Sequence, residues 1–321
     1  MTLARLAVMT SGGDAPGMNA AIRAVTRKSI YQGIEVYGVH HGFAGLLGDE
    51  VVPMAVNSVA DIIQRGGTIL HTARSSRFME PDGAQVGAEV LRRHGIEDLV
   101  VIGGDGSFRG ALTLEALGVR VVGVPATIDN DLEGTDVAIG FDTAVNTVVE
   151  ALDRIRDTAT SHERTFVMEV MGRASGQIAL TAGLAAGAES ILVPEAPTEL
   201  EAVVERLRHA RDRGKRHSII LVAEGAGRGF EVGKAIETMT GMETRVTVLG
   251  HLQRGGNPSA QDRVLASRLG AAAVDALVAG TSGVMVGVRG QTLITTRLRD
   301  VLDAVRGIDV DMFGLAAILA I

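Results

Sequence analysis

The chain has 321 residues, a net charge of −7, 46% hydrophobic residues and no cysteine. A chain of that length and apolar content forms one large or two smaller domains and is not disordered. The missing cysteines exclude a disulfide scaffold, a thiolate metal site and a cysteine nucleophile. An acidic balance with two Tyr, seven Phe and no Trp excludes general nucleic-acid binding, which needs a basic face and stacking rings.

No run reaches the eighteen or so apolar residues of a membrane helix, and the opening Met1-Thr-Leu-Ala-Arg lacks the apolar core of a signal peptide. A cytoplasmic protein without membrane or nucleic-acid partners is expected. Glycine, at 41 residues or about 13% against an ordinary 7%, has no collagen-like period.

Short apolar runs ending in glycine-rich turns alternate with helical stretches. Residues 3–9 run into Ser11-Gly-Gly-Asp, 98–102 into Gly103-Gly-Asp-Gly, and 119–124 into Pro125-Ala-Thr-Ile-Asp, each reading as a buried parallel strand. Between and after them, 15–32, 106–117 and 138–158 read as helices, the last beginning near Asp136. The rhythm continues with strands at 164–171, 191–193, 218–223 and 246–249, and with helices from Ser175 and over 200–213, 231–240 and 259–279. Strand, loop and helix in repetition mean α/β, and the length favours two interleaved domains with a ligand cleft between them outside the strands' carboxyl ends.

Thr10-Ser-Gly-Gly-Asp-Ala-Pro-Gly-Met-Asn opens a helix, where its glycines let backbone N–H groups approach an anion or make a purely structural turn. It fits neither the dinucleotide nor the P-loop glycine spacing. In Gly103-Gly-Asp-Gly-Ser, Asp105 offers a hard oxygen to Mg²⁺ or a capping acceptor. Pro125-Ala-Thr-Ile-Asp-Asn-Asp sets Asp129 and Asp131 two apart beside a hydroxyl. Extended backbone would align the two acids and a turn would separate them, and they serve either phosphoryl transfer or an Asx-turn. Arg164, Arg173, Arg245 and Arg254 with His251 stand near strand ends, where guanidinium groups bind phosphate or simply lie on the surface. Glu224 follows a strand, ready for sugar hydroxyls or for solvent.

In order and spacing, from about Leu3 through Thr281, these segments resemble the ATP-dependent 6-phosphofructokinase family of bacterial type; beyond Thr281 the resemblance weakens, and the end, Phe313-Gly-Leu-Ala-Ala-Ile-Leu-Ala-Ile, is more apolar than the family leads one to expect. The resemblance implies two interleaved three-layer α/β domains with the active site in the cleft between them. It puts an ATP-binding domain at 1–139 plus 256–305 and a fructose-6-phosphate domain at 140–255 plus 306–321. It implies transfer of the γ-phosphoryl of MgATP to the 1-hydroxyl of fructose 6-phosphate in glycolysis. Asp129 would be the base, Thr127 would help position the hydroxyl, and Arg173 would stabilise the phosphoryl in flight. Gly13, Arg74, Ser75, Gly103, Gly104, Asp105, Gly106 and Ser107 would line ATP, and Asp105 with Asp131 would hold Mg²⁺. Thr127, Ile128, Asp129, Met171, Gly172, Arg173, Glu224, His251, Leu252, Gln253 and Arg254 would hold the sugar phosphate, joined by Arg164 and Arg245 from a neighbouring subunit of a homotetramer.

Pyrophosphate-using relatives carry an acid where this chain has Gly106 and a lysine where it has Ala126, so the small residues favour ATP; the usual ATP-type residue at 126 is glycine. Arg23, Arg27, Arg156, Gly187, Glu189, Arg213 and Lys215 resemble a pocket for an activating ADP or GDP or for inhibitory phosphoenolpyruvate, with Val56 in place of a common arginine. Weakened or altered allostery is therefore expected. The rivals are a pyrophosphate-dependent enzyme and a non-catalytic nucleotide-sensing subunit; retention of Asp105, Asp129 and Arg173 disfavours the second.

Overall fold

The computed structural model describes residues 3–197 and 199–320. Met1 and Thr2, at the start read for a leader, Thr198, and Ile321, at the apolar end, lie outside the described residues. In chain order the elements are β1 (Arg5–Thr10), α1 (Met18–Tyr31), β2 (Glu35–Val39), α2 (Gly42–Leu47), β3 (Val51–Met54), α3 (Gly83–Arg93), β4 (Asp98–Gly103), α4 (Asp105–Glu115) and β5 (Arg120–Pro125). Then come α5 (Phe141–His162), β6 (Thr165–Val170), α6 (Gln177–Ala186), β7 (Ser190–Leu192), α7 (Leu200–Asp212), β8 (Ser218–Ala223), α8 (Gly229–Thr240) and β9 (Thr244–Val248). The chain ends with α9 (Ala260–Val278), β10 (Val284–Arg289), β11 (Thr292–Arg297), α10 (Leu298–Asp303) and α11 (Val310–Leu319). Among the described residues no helix is long and apolar enough to cross a membrane.

Two compact units share the chain: Met1–Thr127 with Leu132–Asp142 and Arg254–Arg306, and Ile128–Asp131 with Thr143–Gln253 and Gly307–Ile321. The first holds a seven-stranded sheet ordered β11-β10-β5-β4-β1-β2-β3. Its central strands are parallel, while β3 and β11 pair antiparallel at the edges. Residues of β1, β4 and β5 are buried on both faces, the mark of a sheet covered on both sides. One face, with Ala7, Met9, Leu99, Val101 and Val121, packs against Phe43, Leu91, Phe108, Leu114 and Val301 from α2, α3, α4 and α10. The other lies under α1 and α9, which pack on each other.

Topology places a site here before any side chain does. From β1 the chain moves outward to β2, and from β4 it moves the opposite way to β5, so β1 and β4 flank a switch point. Ligands of open α/β sheets bind in the crevice at such a point. The register aligns Thr10 with Ile102 and Gly103 with Pro125, so the loops after β1, β4 and β5 leave one edge side by side.

The second unit has a parallel four-stranded sheet, β7-β8-β6-β9. Val167, Ile220 and Val222 pack against Val203 and Leu207 of α7 and Val232 and Ile236 of α8. Val170 is level with Ala223 and Glu169 with Val248, so the loops after β6, β8 and β9 also share an edge. The apolar end of the chain forms α11, capped by Asp309, whose Oδ1 accepts from the Met312 N–H at 2.8 Å; Leu315, Ile318 and Leu319 are exposed.

The third expected helix starts later than its period suggests. Ile139 forms a bridge with Ala126 and Gly140 has φ +100°, so residues up to 140 are held out of the helix until Phe141.

Candidate active site

After β1 the chain turns through Ser11, Gly12, Gly13 and Asp14. The Ser11 N–H donates to the Ile102 carbonyl at 3.0 Å, which locks the turn to β4. Gly12 has φ +87°, and a Cβ there would stand 3.2 Å from Ser107 Oγ. The Thr72 hydroxyl donates to the Gly12 carbonyl at 2.7 Å, and Arg254 Nη1 donates to the Asp14 carbonyl at 3.1 Å while its guanidinium covers Gly13. Asn19, buried on α1, donates to the Arg65 and Gly66 carbonyls and accepts from the Ile69 N–H.

The neighbouring loop ends in the N-terminus of α4. Gly104 is its extended N-cap, with no side-chain cap, so the first N–H groups of this helix are presented to whatever lies before it. Ser107, 3% exposed, has no protein hydrogen-bond partner for its Oγ. A buried hydroxyl without a partner beside an uncapped helix N-terminus and a positive-φ glycine is a donor set for an anion. Gly106 is exposed, and a side chain built on it would meet nothing within 4 Å. Arg74 is exposed and Ser75 half-buried; the Ser75 Oγ accepts from the Phe78 N–H at 3.1 Å, and Phe78 stacks on Phe43 at 4.2 Å.

The loop after β5 is clamped. The Thr127 N–H donates to the Ile139 carbonyl and the Ile139 N–H to the Pro125 carbonyl, both at 3.0 Å. Gly140 is held in turn: its N–H donates to Asp262 Oδ1 at 2.8 Å, and Asp262 is fully buried. Ser259 caps α9 by accepting from the Asp262 N–H, and its hydroxyl donates to Asp142 Oδ2 at 2.5 Å. Sequence reasoning missed this clamp, although Ser259-Ala-Gln-Asp262 carries the capping spacing that signals it.

Ile128 and Asp129 then form a turn, with Asn130 at φ +49°. The two carboxylates have different surroundings: Asp129 is 3% exposed, whereas the Asp131 side chain is 27% exposed with its Oδ2 4.0 Å from Arg173 Nη1.

In the second unit Glu224, at the end of β8, accepts through Oε1 from the N–H groups of Gly172 (3.2 Å) and Arg173 (2.8 Å) after β6. Arg173 has φ +55°, a strained conformation for a side chain of this kind, and the carboxylate holds it there. Its side chain is 60% exposed. Gln253, fully buried, accepts from the Met171 N–H and donates to the Gly250 carbonyl, tying the loops after β6 and β9 together. His251 and Leu252 are exposed on that last loop.

Arg164 and Arg245 are not part of this gathering. They stand at the starts of β6 and β9, a strand length or about 20 Å from Arg173. Both pair with Glu243; the Arg164 contact is 2.9 Å and holds the Glu243 carboxyl below its usual range. Of the residues read as an effector pocket, Arg23 and Arg27 lie on α1 of the first unit. Arg156, Gly187, Glu189 and Lys215 come together in the second: Arg156 donates to the Ala186 and Gly187 carbonyls, and Lys215 pairs with buried Glu189. Arg213 caps the end of α7, two residues before Lys215, and Val56 is exposed.

A family model described as phosphofructokinase matches residues 5–277. The chain belongs to the phosphofructokinase family. It is 58% identical over 317 residues, 99% of each chain, to the ATP-dependent 6-phosphofructokinase of Bacillus cytotoxicus. Its fold superposes on the phosphofructokinase structure from Saccharomyces cerevisiae with a TM-score of 0.88 at 38% identity, covering 94% of this chain and 45% of that one. On the pyrophosphate-dependent phosphofructokinase from Marinobacter aquaeolei the TM-score is 0.84 at 28% identity, covering 96% and 86%. The family thus holds both donors on one fold, and residues at the site must distinguish them.

Proposed function

We propose that this protein is an ATP-dependent 6-phosphofructokinase of glycolysis, transferring the γ-phosphoryl of ATP to the 1-hydroxyl of fructose 6-phosphate. The observation that carries the donor assignment is the open space at Gly106, on the first turn of α4, where an acid would stand against a polyphosphate. The end-to-end identity to an ATP-dependent enzyme supports the same donor. Ala126, buried in its bridge to Ile139, adds only a methyl group.

In this reading the Ser11–Asp14 turn, Arg74, Ser75 and residues 103–107 bind ATP in a domain of residues 1–139 plus 256–305. Residues 140–255 plus 306–321 bind the sugar phosphate through Met171–Arg173, Glu224 and residues 251–254. Asp129 takes the proton as the sugar oxygen bonds to the γ-phosphorus and the bond to the β-phosphate oxygen breaks, releasing ADP. Thr127, fixed by its clamp, and Ile128 position the hydroxyl, and Arg173 lowers the energy of the charge in transit.

ATP-dependent transfer implies a divalent metal, which we take to be Mg²⁺. Among the described residues no three acidic, imidazole or thiol groups gather to hold a metal. One or two carboxylates suit Mg²⁺, whose shell phosphate oxygens and water complete. Asp105 and Asp131 would hold it, and when bound it neutralises phosphate charge.

Arg164 and Arg245, turned to the opposite sheet edge, serve a neighbouring subunit's sugar phosphate in a cytoplasmic homotetramer. Arg23, Arg27, Arg156, Gly187, Glu189, Arg213 and Lys215 form a nucleoside-diphosphate or phosphoenolpyruvate pocket weakened by Val56. A coupled assay of fructose 6-phosphate phosphorylation with ATP and pyrophosphate side by side tests the proposal. Turnover with ATP alone is expected; turnover with pyrophosphate but not ATP, or with neither, refutes it.

A further inference from the structure

Three histidines of the first unit gather on two segments anchored to the glycine turn. The His41 and His71 rings are stacked, with centroids 5.0 Å apart and planes 11° from parallel. The His40 ring lies 6.1 Å from His71 and 6.3 Å from His41. Thr10, the last residue of β1, donates its hydroxyl to the His71 carbonyl at 2.8 Å, and Thr72, the next residue, donates to the Gly12 carbonyl. The His41 N–H donates to the Leu70 carbonyl at 2.8 Å, and a Cβ on Gly42 would stand 2.8 Å from the Thr10 carbonyl. The backbone that carries His41 and His71 is therefore tied to the turn.

Parallel rings do not aim their nitrogens at one point, and no metal-holding group includes them among the described residues. What the three side chains share is the imidazole group, whose protonated form is a donor that binds anions. The groups facing His40 are His71, His41 and Glu50; burial first, then the two neighbouring histidines, lower its pKa, and Glu50 opposes them. Glu50 Oε2 lies 2.6 Å from His41 Nδ1, so one carboxylate offsets one imidazolium. Any further proton leaves this wall of the turn with net positive charge. His41 is 47% exposed and His71 is exposed, so that charge faces solvent beside the turn and not the core.

We propose that His41 and His71, with His40 beside them, form a proton-gated anion subsite next to the Ser11–Asp14 turn that takes the polyphosphate of the nucleotide. The inference rests on the ATP reading above and adds a binding element to it. Nucleotide affinity then rises as pH falls through the imidazole range.

The test uses the full-length enzyme and the doubly substituted H41N/H71N variant, with the KM for MgATP measured at saturating fructose 6-phosphate from pH 6 to 8. Asparagine does not titrate there and tolerates the positive φ of both positions, 53° and 57°, so the anchoring backbone bonds survive. The wild-type KM should fall about three- to tenfold from pH 8 to pH 6 relative to the variant, the size expected for exposed charges several ångströms from phosphate. Ionisation of ATP itself is common to both proteins and cancels in the ratio. Single H71N and calorimetric binding of MgADP at the two pH values provide the same comparison if the double variant folds poorly. Equal pH slopes with normal turnover, or a wild-type KM that rises toward pH 6 relative to the variant, overturn the subsite alone. Absence of ATP turnover in the wild type at every pH overturns the ATP reading and the subsite together.

Discussion

Gly106→Asp separates donor choice from stability. Gly106 is the second residue of α4, is exposed, and offers a new side chain open space out to 4 Å. Replacing glycine within a helix recovers roughly 0.5–1 kcal/mol, and an acid in the first turn gains about 0.3–1 kcal/mol from the helix dipole. The fold should therefore hold, with Tm unchanged or raised by about 2 °C. The same carboxylate would face a polyphosphate bound at this N-terminus. At about 5 Å and an effective dielectric of about 20, each unit charge repels it by about 3 kcal/mol, which exposure to solvent lowers toward 2 kcal/mol. That is roughly a 30- to 150-fold loss in kcat/KM for ATP. The assay is coupled fructose 6-phosphate phosphorylation at varied ATP, with thermal melts alongside and Gly106→Asn as the neutral control of equal size. Asn should stay within about threefold of wild type, because the effect assigned to Asp is charge. Equal impairment of both variants would mean that bulk or lost flexibility acts instead, and an unimpaired Asp variant would mean that no polyphosphate binds there.

The remaining predictions concern one residue each. Asp129→Asn should lower kcat by about 10² to 10⁴ with fold and substrate affinities retained, measured by turnover and circular dichroism; undiminished turnover removes the base. Glu224→Gln weakens the charge-assisted bonds to the Gly172 and Arg173 N–H groups, each worth about 1.5–3 kcal/mol, so kcat/KM should fall about 10- to 100-fold, with a loss in kcat and not in KM alone. Asp98, 2% exposed and bonded to Arg120 at 2.5 Å, has its pKa raised to about 6, chiefly by burial, with the Arg120 charge opposing. Between the unfolded value near 3.8 and that value the folded state holds the extra proton, so its stabilisation is full below the lower value and is lost as pH rises through about 6. The loss is at most about 3 kcal/mol. Urea unfolding from pH 4.5 to 7.5 should show this decline in the wild type relative to Asp98→Asn, and parallel curves would exclude it.

The elements that sequence alone reveals are those whose local pattern and tertiary role coincide. β1, β4 and β5 are apolar runs buried on both faces; β4 and β5 end at Gly103 and Pro125, and β1 ends at Thr10 just before the Gly12-Gly13 turn, so their ends and the loops that follow are legible within a residue or two. β3 is an antiparallel edge strand containing Pro53, and β11 is largely exposed; neither carries a core pattern, and neither stood out. The late start of α5 depends on Ile139 meeting Ala126 and on Asp262 holding Gly140 from 122 residues away, which no local period encodes.

The site divides in the same way. Which residues are chemical was readable from composition at strand ends, but which of them touch depends on strand order. Glu224 was read as a ligand for sugar hydroxyls, yet one of its oxygens already serves two N–H groups after β6, because β8 is the neighbour of β6 and Ala223 is level with Val170. Asp129 and Asp131 could have shared a direction; Asn130, in the left-handed region, turns the chain between them, and one acid is buried while the other approaches Arg173. The two acids thus have different surroundings, which suits the duties of base and metal ligand proposed for them. Arg164 and Arg245 are chemically alike to Arg173 in sequence, but the parallel register puts them at the other end of the sheet with Glu243 between their charges. A single chain cannot bring both ends of a parallel strand to one phosphate, so if all three arginines serve the same substrate, a second copy must supply two of them.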